Sequence, residues 1–257
     1  MMRKIFIALS LLGVACITQA DMCDIQVITE NELSNFGKYF QIPEDESVEL
    51  ILSKYPQCID QASLIVAYLY LDSASPFHSI LKAVSYLKQS VEMGNEQAAA
   101  LLGSLFISNE RVYNLEEGIE LLEFASSNGV NLAMINLFTL SRQGKYDSEK
   151  GVQLLENAYK NGYEKAVLYY GHYLHLKSVA TGQHALTADA IAILEEFDFI
   201  ELSGDRHFYL TEIYMDKRTA HYDSAKAVQH WTKAIEEGHE RAISLWKSYE
   251  KASQQND

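Results

Sequence analysis

One interval recurs along most of the chain and limits its folds more tightly than composition could. Gly94, Gly129, Gly162 and Gly238 are each followed four residues later by a small anchor, Ala98, Ala133, Ala166 or Ala242, and Ala62 stands in the same place upstream. The anchors lie 36, 35 and 33 residues apart, and the last gap of 76 holds two units, the second anchored near Arg206. Steps of that length mark a helical hairpin that cannot bury its apolar side alone and so stacks on copies of itself. Six helix starts at near-constant spacing predict an all-α chain, an α/α superhelix of helical hairpins.

Each unit reads as two antiparallel helices. The first, helix A, carries an apolar residue four after its anchor (Val66, Leu102, Leu137, Tyr170, Leu210, Trp246) and usually another four later (Tyr70, Phe106, Leu174, Tyr214). That spacing is one face of a helix. Gly103 and Gly171, lying between, predict close approach of neighbouring helices rather than a break. The second, helix B, opens on Asn114, Asp147 or Asp223, whose side chains can accept the unpaired backbone donors of a first turn. Asn114 with Glu117 has the form of a capping box. Helix B closes at the glycine, which takes up the left-handed conformation cheaply. Upstream, Pro43 to Ser47 starts a further helix that could cover the first hairpin.

The run of anchor, apolar residue and glycine from Ala98 to Gly103 and from Ala166 to Gly171, the Asn or Asp entry and the closing glycine together resemble the Sel1-like repeat, a branch of the tetratricopeptide-like solenoids. The resemblance covers about residues 59–252. It implies that helix A of every unit lines a concave face, so that residues on its outward stripe are candidate contacts: Tyr68, Asn136, Tyr169, His172, Tyr173, Tyr209, Glu212 and Asp216, with Ser104 and Thr139 at equivalent positions. Departures cluster late in the chain. Lys177 to Asp189 reads as a lengthened turn, Glu201 replaces a closing glycine, and Arg206 replaces a small anchor.

Residues 1–20 have the layout of a secretory signal peptide: Arg3 and Lys4, an apolar stretch from Ile5 to Ile17, and small residues ending at Ala20. Residues 21–58 form an N-terminal capping segment, and residues 59–257 the repeats with a C-terminal capping helix. Cleavage after Ala20 leaves Cys23 and Cys58, an even pair in an oxidising compartment, predicting one disulfide. Cys16 offers a lipoprotein alternative, weakened by Gly13 where a branched apolar residue is expected. The expected location is periplasmic or secreted.

A formal charge of −14 gives no basic footprint for nucleic acid. Tyr-rich, partly acidic stripes suit protein recognition, so the chain reads as an exported scaffold holding a basic protein or peptide, in a sharper version an immunity-type inhibitor of a secreted toxin. An envelope-assembly or virulence scaffold is one alternative. The other is a β-lactam-binding or -hydrolysing enzyme, since Ser85 with Lys88 and Ser244 with Lys247 share the Ser-x-x-Lys spacing; the companion words of such enzymes are missing. His172, His175 and His207 raise a metal site, but no Cys or acidic partner has matching spacing. No catalytic residue, metal or cofactor is expected.

Overall fold

The computed structural model describes residues 36–196 and 202–254, with side chains described from residue 37 to residue 248. The leader, Cys16, Cys23 and Glu201 lie outside the described residues. Among those described there are twelve α-helices and no strand: α1 Glu44–Lys54, α2 Ile59–Leu71, α3 Ile80–Glu92, α4 Glu96–Ser108, α5 Leu115–Ser127, α6 Asn131–Arg142, α7 Ser148–Lys160, α8 Glu164–Thr181, α9 Ala185–Glu196, α10 Ser203–Met215, α11 Ser224–Glu236 and α12 Glu240–Gln254.

Contacts divide the chain into two compact units, Met1–Val130 and Asn131–Asp257. In the first, α2 pairs with α3 and α4 with α5, while α1 packs on α2. In the second, α6 pairs with α7, α8 with α9 and α10 with α11, and α12 follows on α11. The repeat interval thus marks hairpins as expected, and α12 runs through Gln254, slightly beyond the end read from the pattern.

Local chemistry explains why the pairs form. Helix A of each hairpin is apolar on most sides; α2 buries Leu64, Ile65, Val66, Leu69 and Tyr70. A helix buried that completely needs neighbours on two sides, which a single hairpin cannot supply. Gly103 and Gly118, inside α4 and α5, mark a close approach in the first unit. A Cβ on Gly103 would lie 2.8 Å from Leu122 Cγ and 2.9 Å from the Gly118 carbonyl oxygen, and one on Gly118 would lie 2.8 Å from Ile107 Cγ2. In the second unit, a Cβ on Gly171 would lie 2.8 Å from Leu194 Cγ.

Helix B entries are capped as their sequence implies. Asn114 Oδ1 accepts from the Glu117 amide at 3.3 Å, Asp147 Oδ1 from the Lys150 amide at 2.8 Å, and Asp223 Oδ1 from the Ala225 and Lys226 amides at 3.0 Å. The capping box is half formed. The Asn114 amide donates to the Phe106 carbonyl, so the Glu117 carboxylate instead takes the Asn114 side-chain amide at 2.8 Å. The closing glycines all sit at left-handed φ, between 73° and 88°.

The expected long turn from Lys177 to Asp189 is not one. α8 continues to Thr181 over 18 residues, Gly182 closes it at φ 71°, and α9 starts at Ala185. Polar Ser178 and Thr187 suggest a loop, yet both are fully buried inside the hairpin. Thr187 Oγ1 donates to Ser178 Oγ at 2.8 Å, and Ser178 Oγ donates to the Gln183 carbonyl at 3.0 Å, so the hydroxyls satisfy one another.

Candidate functional site

α8 and α10 belong to the same unit and are the helix A members of consecutive hairpins. Residues three and four apart share a helix face, so His172 and His175 on α8 meet Tyr209 and Glu212 on α10 and Asp216 at its C-terminal end. The His172 ring stacks on Tyr209, with centroids 4.5 Å apart and planes 14° apart. Its Nε2 lies 3.2 Å from Glu212 Oε2. One turn further on, His175 Nε2 lies 3.3 Å from Asp216 Oδ2. Arg218 then clasps Asp216 with both arms of its guanidinium, Nε on Oδ1 at 2.8 Å and Nη2 on Oδ2 at 2.7 Å.

The electrostatics follow from this geometry. Arg218 holds the Asp216 carboxyl down at about 2, against a smaller upward push from burial. Burial raises Glu212, but the hydrogen bond and charge of His172 carry it the other way, to a net position below the usual carboxylate range. Burial lowers His175, and Asp216 only partly restores it. Burial raises the Tyr209 and Tyr169 hydroxyls, both of which also sense Asp205 and Arg142. The Nδ1 atoms of His172 and His175 are buried and have no hydrogen-bond partner among the described residues. Through Nε2 each imidazole bridges α8 to a carboxylate of α10 or its C-terminal end, and burial disfavours a charge on His175.

Of the eight residues expected to make contacts, four share these contacts: His172, Tyr209, Glu212 and Asp216. Tyr169, one turn before His172 on α8, sets its ring 6.2 Å from that of Phe138 on α6, and its hydroxyl acts electrostatically on that of Tyr209. Tyr173 lies elsewhere on α8, packed against Tyr170 with ring centroids 6.3 Å apart and with the Lys177 ammonium 5.7 Å over its ring. Asn136 is half-buried on α6. Tyr68 is half-buried in the first unit, its hydroxyl pushed up by burial. His175 and Arg218 were not among the expected contacts. The i, i+3 step from His172 pointed to the first, whereas Arg218 lies past the end of α10, where helical periodicity gives no guide.

His207 does not join the patch. Its Nδ1 faces His230 Nδ1 of α11 at 2.8 Å, and its Nε2 is 3.1 Å from Arg206 Nη2. Among the described residues, no group of three or more His, Cys, Asp or Glu could hold a metal ion. The Ser-x-x-Lys word on α3 is also drawn apart in role: Lys88 Nζ is ion-paired with Glu117 at 3.1 Å, while Ser85 is exposed to solvent.

Paired antiparallel helices, glycine-closed and repeated at this interval, define an α/α helical-repeat protein. Within that class the chain has the Sel1-like repeat fold. It is similar to a Sel1 repeat protein from Oxalobacter formigenes (TM-score 0.55, 18% identity, 80% of this chain and 60% of that one). It is also similar to c5321, a protective antigen of uropathogenic Escherichia coli strains that displays this fold (TM-score 0.60, 16% identity, 87% of this chain and 48% of that one). A structure from Klebsiella pneumoniae subsp. pneumoniae described as a sel1 repeat protein covers 78% of this chain and 98% of its own, with a TM-score of 0.50 and 16% identity. The chain thus spans 60% and 48% of the length of the first two. No protein-family model matches the sequence, and no curated protein does.

Proposed function

We propose that the chain is an exported helical-repeat scaffold that binds a protein or peptide on the face shared by α8 and α10. One observation carries the reading: the His172–Tyr209 stack and the His172–Glu212 contact join consecutive hairpins in a partly exposed patch, with Tyr169 beside it, whose internal contacts fix its shape before any partner arrives. A prearranged surface loses little freedom on association, and half-buried tyrosines offer wide contact area with few rotatable bonds. The fold supports an interaction role of this kind. The surplus of acidic over basic side chains, 35 against 21, favours a basic partner, and export together with small size favours an immunity-type inhibitor of a secreted toxin. A Cys23–Cys58 disulfide would anchor the leading segment; Cys58 supports it by standing as a buried half-cystine at the start of α2.

The test is affinity capture from periplasmic extract, followed by the same capture with a Tyr169→Ala, Glu212→Gln variant whose melting curve confirms folding. A specific partner that wild type retains should be lost or weakened at least about tenfold, consistent with removing one aromatic anchor and the carboxylate that holds His172 in place. Equal retention by the variant refutes this face.

A further inference from the structure

A groove of about 980 Å³ opens in the first unit, between α1 and the α2–α3 hairpin. Val48 and Leu52 line it, together with Tyr70 and Tyr86, whose stacked rings lie 5.7 Å apart with planes 18° apart. Along α1 its edge carries Glu44, Asp45 and Glu49.

The groove already receives one cation from the chain itself. The Lys82 ammonium rests on Glu44 Oε1 and lies 5.5 Å from the centre of the Tyr70 ring, while the Tyr70 hydroxyl donates to that same oxygen at 2.7 Å. A carboxylate, a phenol and an aromatic face therefore recognise an ammonium here in the manner expected of ligand cations. The arrangement is open to exchange, because the Lys82 and Glu44 side chains remain 53% and 35% exposed. Asp45 and Glu49 take part in no ion pair among the described residues.

We propose that this groove is a second docking site, taking an extended peptide segment of basic-x-basic pattern. The spacings agree. Asp45 and Glu49, four residues apart on a helix, are separated by about 6 Å along its axis, and alternate side chains of an extended chain by about 6.6 Å. Two Lys or Arg side chains on one edge of the segment meet the two carboxylates, and the Tyr70–Tyr86 pair accepts an aliphatic stem or a guanidinium plane. The chain's own leading segment is a poor occupant: residues 21–35 contain Asp21, Asp24, Glu30 and Glu32 and no Lys or Arg. The proposal does not depend on the α8–α10 face.

It is tested by panning a displayed library of random octapeptides on the full chain, then measuring the enriched peptide by fluorescence anisotropy. Basic-x-basic sequences should be enriched. Asp45→Asn with Glu49→Gln should weaken binding about fivefold, the loss of two partly exposed ion pairs. Lys82→Met should tighten it a few-fold by freeing Glu44, and Tyr169→Ala with Glu212→Gln should leave it unchanged. All three sites on α1 and α3 are at least partly exposed, and circular dichroism verifies that each variant folds. No basic enrichment, binding indifferent to the Asp45 and Glu49 changes, or binding abolished by Lys82→Met overturns the proposal. Binding lost only in the Tyr169 and Glu212 variant also overturns it and assigns recognition of basic peptides to the other face.

Discussion

Lowering the pH should weaken the α10–α11 hairpin through His207. His207 is 4% exposed, and its Nδ1 is 2.8 Å from His230 Nδ1, a contact that a single proton satisfies and a second disrupts. Burial is the largest cause, the Arg206 charge adds to it, and Glu237 at 3.7 Å only partly offsets them. Together they bring His207 down to about 4 from an ordinary 6.5. Because the folded value lies below the unfolded one, the unfolded chain binds the extra proton. Stability is therefore whole above about pH 6.5 and falls toward pH 4. At 1.36 kcal/mol per pH unit of displacement, the loss reaches about 2–3 kcal/mol by pH 4.5. His230, also lowered by burial, acts in the same direction. The measurement is urea unfolding from pH 7 to 4.5, followed by fluorescence of Trp231 on α11. A His207→Gln variant should start less stable but lose much less on acidification. Parallel curves for the two proteins, within about 0.5 kcal/mol, would refute the reasoning.

Two further outcomes test the packing and the caps. Gly103→Ala should destabilise by about 1–2 kcal/mol in chemical denaturation, since overpacking against Leu122 and the Gly118 carbonyl exceeds the helix propensity gained. Asp147→Ala removes the acceptor for the Lys150 amide and should cost about 1 kcal/mol, read as a lower melting temperature with unchanged helical content at 20 °C or so.

The hairpins were legible because their signals are local. A glycine, a small anchor and an apolar stripe each act within one or two turns, so the interval between Ala98 and Ala133 already contains a complete structural unit. The errors arose where a polar residue solved its hydrogen bonding through a distant partner. Ser178 and Thr187 look like turn residues until each is seen facing the other inside the α8–α9 hairpin. The half-formed capping box has the same origin: the Phe106 carbonyl, on the preceding helix, claims the Asn114 amide. At the candidate face, His172, Tyr209 and Glu212 were singled out by the helix A stripe that the Sel1-like resemblance implies. It could not show that His172 lies on Tyr209, because ring stacking depends on the offset between two hairpins. Nor could it show that Arg218 would double back onto Asp216.

That clasp on Asp216 alters what the α8–α10 face can sense. Its acidic groups are engaged from within, Glu212 by an imidazole and Asp216 by an imidazole and a guanidinium, so an approaching ion finds little unspent attraction there. Selection at this face then falls to contour and phenolic edges. Long-range pull on a cationic visitor must originate on surfaces whose carboxylates still face only water.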